Sequence, residues 1–150
     1  MNGRTLKFGL LVTVASLLTV AGCAPQIPDP PTPPYGQPPI VDTSWVLEAY
    51  GEPGNLTAAL PDHQPTISFG EDNVSGFTGC NVYGGDYISS RDGTIEFGML
   101  IQTEIACLEP GVMEQEAAFM DALRLAEKYE FVNGNLHVSG GGWLLVLSPA

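Results

Sequence analysis

Proline placement limits where this chain can fold more than any other feature does. Eight prolines fall between Pro25 and Pro39. Each removes a backbone donor and fixes φ, so the stretch favours extended polyproline II over a hydrogen-bonded core. Residues 23–42 therefore read as a Pro-rich tether that starts at Cys23. At about 3.1 Å per residue it reaches on the order of 50 Å. A polyproline ligand for a partner domain is the other reading of such a stretch. Folding is left to residues 43–150, enough for a single core, though a crosslink would help.

What precedes the tether reads as an address. Arg4 and Lys7 open the chain, and residues 8–21 carry no charge. A basic start, a short apolar run and small residues at its end make a secretory signal. The run is shorter than the roughly 20 residues of a spanning helix, and Pro25 follows at once. Val20-Ala21-Gly22-Cys23 resembles a bacterial lipobox, in which the cysteine is acylated on sulfur and becomes the new N-terminus. On that resemblance residues 1–22 are a lipoprotein signal peptide and Cys23 carries the lipid. The chain is then exported and tethered to the cell membrane or outer membrane, its domain facing the periplasm or exterior. Several acyl chains give stable anchoring where one is marginal.

Charge narrows the partners. From Cys23 onward only Arg91, Arg124 and Lys128 oppose 17 Asp+Glu, a balance of −14. A sequence-independent nucleic-acid binder needs clustered Lys/Arg to displace counterions, so nucleic acid is excluded as a partner of that kind. Docking on anionic lipid through charge is disfavoured for the same reason.

Residues 43–150 read as strands with one helix. Ser44–Tyr50 alternates as a first strand, and residues 55–65 look like loop. Thr66–Phe69 and Val74–Phe77 flank a turn at Glu71-Asp72-Asn73, and Thr94–Phe97 follows the turn signal Arg91-Asp92-Gly93. Residues 99–107 are mixed. After Glu109-Pro110-Gly111 the spacing of Met113, Phe119, Met120, Leu123 and Ala126 predicts a helix over about 112–128. Asn133-Gly134 then joins two strands as a hairpin, and Trp143–Leu147 is the last strand. The expected class is α+β, a strongly curved, barrel-like antiparallel sheet with one inserted helix.

At this point the motifs resemble a known family. The opening Trp45-Val46-Leu47, the run Gly76-Phe77-Thr78-Gly79-Cys80-Asn81-Val82-Tyr83-Gly84-Gly85-Asp86-Tyr87, and Thr103-Glu104-Ile105-Ala106-Cys107 with the following helix are similar to the META domain, also called HslJ-like or DUF306. The Gly-Cys-Asn and Thr-x-x-x-Cys elements together are specific, and the likeness spans the whole folded part. It implies a compact curved sheet and an envelope or stress-associated role. It supplies no enzyme activity, so no catalytic residue is carried over. Gly79, Cys80, Asn81, Tyr83, Gly85 and Tyr87 are its motif positions here, with a structural role.

If Cys23 is lipidated, Cys80 and Cys107 remain, and an exported setting favours their pairing. Two buried free thiols are the alternative. A metal site lacks further ligands: there is no CxxC or neighbouring His. His63 and His137 read as surface residues, and no Gly-x-Ser-x-Gly marks a nucleophile. Glu114 and Glu116 stand where helix starts favour acids in any case. Gly76, Gly79, Gly84 and Gly85 precede no Gly-Lys-Ser/Thr, so they form no phosphate loop. No metal or cofactor is expected. The reading is a non-enzymatic binding module for an envelope protein, with a small apolar ligand or a protease-inhibitor-like role as alternatives.

Overall fold

The computed structural model describes residues 36–150. The chain forms β1 (Thr43–Glu52), β2 (Asn55–Ala58), a 3-10 turn at Pro61–His63, β3 (Thr66–Phe69), β4 (Asn73–Phe77), β5 (Val82–Ser89), β6 (Ile95–Phe97) and β7 (Ile101–Gln102). The helix α1 (Val112–Arg124) follows, then β8 (Lys128–Val132), β9 (Asn135–Gly140) and β10 (Trp143–Pro149).

The strands form one antiparallel path, β6-β5-β4-β3-β1-β10-β9-β8, with β2 paired to β1 and β7 to β5. Its two ends meet. Thr94 bridges Lys128, Ile95 N donates to Glu127 O at 3.1 Å, and Tyr129 N donates to Gly93 O at 2.7 Å. The sheet thus curls into a nearly closed barrel, the α+β arrangement the patterning predicts. Two local features help it bend. The register of β1 on β10 skips Glu48, a bulge that increases twist. In β4, Gly76 lies where a Cβ would come within 2.1 Å of Thr66 O.

Side chains fill the interior. Leu47, Ile67, Leu136, Leu145 and Leu147 from the strands meet Phe119, Met120 and Leu123 from α1, all essentially without exposure. Phe69 packs edge-on to Tyr87 at 5.0 Å, and Trp45 lies against Phe131 at 5.7 Å. The Asn133-Gly134 hairpin forms with φ of 52° and 87°, the left-handed pair that a tight two-residue turn requires.

Three expectations need correction. Residues 55–58 pair with Ala49–Glu52 instead of looping, making a ribbon in which all four residues of Asn55-Leu56-Thr57-Ala58 stay exposed. The helix stops at Arg124, not near 128. Glu127 N donates to Ser139 O at 2.8 Å and Lys128 begins β8, so pairing with β9 takes the residues a longer helix would use. The body also starts before residue 43. Ile40 is fully buried, Gln37 N donates to Arg91 O at 2.6 Å, and Asp42 N donates to Phe69 O at 2.8 Å. Pro38 and Pro39 lack donors, but Pro38 O still accepts from Tyr129 Oη at 3.3 Å. Residues 37–42 therefore belong to the barrel. Cys23 and the positions expected to be a signal peptide and most of a tether lie outside the described residues.

Candidate functional site

The motif positions Gly79, Cys80 and Asn81 stand where β4 ends and β5 begins. Gly79 has φ of 103°, and a Cβ there would sit 2.6 Å from His63 O, so a side chain is excluded twice over. The turn it permits brings Thr78, Cys80 and Asn81 against the N-terminal half of α1. There Glu116 points inward with only 3 % of its surface exposed.

Neutral donors surround that carboxylate. The Thr78 hydroxyl donates to it, as does Asn81 N at 3.1 Å. Asn81 Nδ2 reaches both carboxylate oxygens, at 3.0 and 2.9 Å. Gln102 Nε2 adds a longer bond at 3.3 Å. Gln102 is the loosest member, since its Oε1 is buried without a partner. No Lys or Arg joins this hydrogen-bond set. Burial of such a group is tolerated because its lone pairs are engaged.

Asn81 does a second job. Its Oδ1 accepts from Ile105 N and from Thr103 Oγ1, both at 2.7 Å, and its Nδ2 donates to Ile105 O at 3.0 Å. The amide therefore meets the backbone of Ile105 as a strand neighbour would. The Cys80–Cys107 disulfide, with Cα atoms 5.9 Å apart, ties the same segment two residues further on. Thr103 N donates to Val82 O at 3.1 Å, and β7 pairs with β5 at Gly84 and Tyr83. Gly85 leaves room for this approach, since a Cβ there would lie 2.5 Å from Met99 O. Chemically the cluster is a clasp: it spends its polar groups on holding residues 99–107 to the barrel.

The remaining motif residues point inward. Tyr83 is buried edge-on to Phe119 at 5.9 Å and donates to Thr66 O at 3.1 Å. Burial pushes its phenol well above the ordinary range. Tyr87 donates to Gly70 O at 2.8 Å. His63 and His137 are both half-buried. His63 Nδ1 bonds Gly79 O at 2.9 Å, and His137 Nδ1 lies 3.9 Å from Glu130. His63 thus braces the Gly79 turn and is not a bare surface residue.

The clasped segment displays apolar side chains. Of eight large exposed apolar residues among those described, five are Val82, Met99, Ile101, Ile105 and Leu108. Val82 and Gly84 share the outer face of β5, and Ile101 pairs opposite Gly84, so Val82 and Ile101 are diagonal neighbours. Ile105 is held beside Asn81, and Leu108 follows Cys107 with 92 % exposure. Val82, Ile101 and Ile105 thus make an apolar ledge along the start of β5, which Met99 beside Gly85 and Leu108 beyond Cys107 extend along the chain. A second feature is a groove of about 400 Å³ at the seam of the barrel, lined by Ile88, Ile95 and Ala126 with Ser89, Ser90, Thr94, Glu96 and Glu127.

Sequence reasoning named the Cys80–Cys107 pair and took Asn81 as a motif residue bonding the backbone of its own turn, whereas its side chain reaches Thr103, Ile105 and Glu116; it also missed Glu116. An acid in the first turns of a helix has a ready surface explanation. The signal that would have found it is periodicity. Val112, Glu116, Phe119 and Leu123 fall on one helical stripe, so the acid occupies an apolar position.

A family model for the META domain matches residues 38–149. The chain belongs to the META domain family. The match begins at Pro38, in agreement with the buried Ile40. No curated protein matches the chain. Among solved structures, the META domain here is similar to a protein from Burkholderia xenovorans studied by NMR, with 28 % identity and a TM-score of 0.64, covering 85 % of this chain and 99 % of that one. A second NMR structure shares 22 % identity at a TM-score of 0.58, covering 72 % and 89 %. A DUF4847-family protein from Bacteroides vulgatus shares the fold at 13 % identity and a TM-score of 0.56, covering 73 % and 93 %.

Proposed function

We propose that this chain is an exported lipoprotein, cleaved after residue 22 and acylated at Cys23, whose META domain is a non-enzymatic binding module in the cell envelope. Its partner is an envelope protein. The observation that carries the binding role is the apolar ledge, Val82 of β5 with four exposed side chains from residues 99–108, a segment pinned by a disulfide and by Asn81. A pinned segment has little conformational entropy left to lose on docking, which favours affinity. The one buried carboxylate of the region supports a non-enzymatic reading, because Glu116 is engaged by internal donors and closed to solvent.

Two measurements test this. Labelled palmitate fed to cells is expected in the wild-type chain and absent from Cys23→Ala. Label retained in the variant rejects the anchor. A photo-reactive residue at position 105 of the full chain is expected to give a protein adduct in intact cells that the same residue at position 56 does not. Equal yields at the two positions reject the ledge as a binding surface.

A second reading rests on the seam groove. At about 400 Å³ it matches the size of small-molecule sites, and Ile88, Ile95 and Ala126 give it an apolar wall. Titration with an environment-sensitive naphthalene dye should then saturate at one site and weaken in Ile88→Glu. Unchanged dye binding in the variant removes this reading.

A further inference from the structure

We propose that the ledge takes a cationic, apolar-faced protein segment, one whose exposed apolar residues are flanked by Lys or Arg. This rests on the reading of the ledge as a docking surface and adds the chemistry of what docks. Charge carries it. From Asp92 to Leu123 the chain contains no Lys or Arg, and Glu104 and Glu109 lie exposed within the ledge segment itself. Asp86 stands exposed on the same outer face of β5 as Val82, two positions beyond the Gly84–Ile101 pair. The charged residues within residues 99–109 and on the outer face of β5 up to Ile88 are therefore all acids.

The same acids argue against the other occupants. An anionic leaflet repels them. A second copy of the chain brings the same acids, and like charges across an interface cost several kcal/mol. The fold also sets the ledge apart from where the preceding residues join. Gln37 bonds Arg91 beyond the C-terminal end of β5, whereas the ledge flanks its start at Val82. Seven steps of strand put roughly 23 Å between these ends.

The test uses the purified full-length chain with a photo-reactive residue at position 105, mixed with a Leu/Lys amphipathic peptide or with its Leu/Glu counterpart. The expected adduct yield with the Leu/Lys peptide exceeds that with Leu/Glu by on the order of tenfold, and it falls severalfold in Glu104→Gln/Glu109→Gln. Equal yields with the two peptides overturn the cationic assignment while leaving the ledge a docking surface. In intact cells, sequencing the cross-linked peptide gives the second arm. A partner peptide with Lys or Arg beside apolar residues supports the proposal. Adducts to lipid, to another copy of this chain or to an acidic peptide overturn it. The same yield at positions 105 and 56 in cells instead rejects the docking surface itself, so the two failures are distinguishable.

Discussion

The barrel is closed at both ends, but by different chemistry. At the Cys80 end the helix α1 seats a buried carboxylate against Asn81 and Thr78, and a disulfide locks the neighbouring segment. At the other end residues 37–42 cross the opening with one buried apolar side chain, Ile40, and a few backbone bonds. The first arrangement is specific. Neutral donors must each find the Glu116 carboxyl, and an error leaves a buried polar group unsatisfied in the interior. The second tolerates variation, because apolar burial is non-directional. That contrast places the rigid end where the ledge is displayed and the simpler end where the preceding residues join.

The largest effect is expected at Asn81. Asn81→Ala removes the donor that reaches both Glu116 oxygens and the bonds that hold Ile105 and Thr103. Leaving buried Glu116 and the Ile105 amide without their partner, at about 1–3 kcal/mol for each unsatisfied group, sums to about 3–5 kcal/mol, readable by chemical denaturation. Amide exchange sharpens the comparison. Ile105 is expected to lose protection while Asp42 and Gln37 keep theirs. Equal loss at both ends would show that the two closures are one cooperative unit.

Next comes the disulfide. Cys80 and Cys107 are 27 residues apart, so Cys80→Ser/Cys107→Ser should cost about 3–4 kcal/mol by the chain-entropy account. The comparison breaks if the loss is negligible, because the clasp alone would then hold the segment. Ile40→Ala probes the opposite end. Its fully buried side chain predicts a loss of about 2–3 kcal/mol in thermal or urea unfolding. A neutral result would return residues 37–42 to the tether.

These positions also show what a sequence reveals. The Cys80–Cys107 pair and the Asn133-Gly134 hairpin were legible because each has a bond or a backbone geometry that only a few residue types supply, whereas Asn81 was legible as a motif residue but not in its reach to Ile105 and Glu116. Glu116 was not, since the same residue is common on solvent-facing first turns and only its place on the Phe119–Leu123 stripe betrays it. Ile40 was hidden by its neighbours: proline density up to Pro39 argues for an extended chain, and the apolar pair Ile40-Val41 is too short to carry a period. The ribbon of β2 was invisible for the opposite reason. It buries nothing, and its four residues, Asn55-Leu56-Thr57-Ala58, are too short an alternation to stand out between Pro53-Gly54 and Pro61. The ledge needed the register of β7 on β5, which no local pattern encodes.

The smallest effect at neutral pH is expected at Tyr83, on the barrel side of the clasp. Tyr83→Phe removes one hydrogen bond, to Thr66 O at 3.1 Å, at a cost of about 1 kcal/mol. The pH dependence is more telling. Burial raises this phenol above its ordinary value of 10.0, so the folded chain holds the proton where the unfolded chain releases it. The contribution is fully present below pH 10 and declines as pH rises, by about 1.4 kcal/mol per pH unit. The variant has no such group, whereas the other tyrosines affect both proteins alike. Its deficit should therefore close near pH 11 and reverse above it, as read from urea midpoints at pH 7, 9 and 11. A deficit that stays constant across that range would mean the phenol ionises normally in the folded chain. The clasped end would then be wetter than its packing against Phe119 implies, and the contrast between the two closures would weaken.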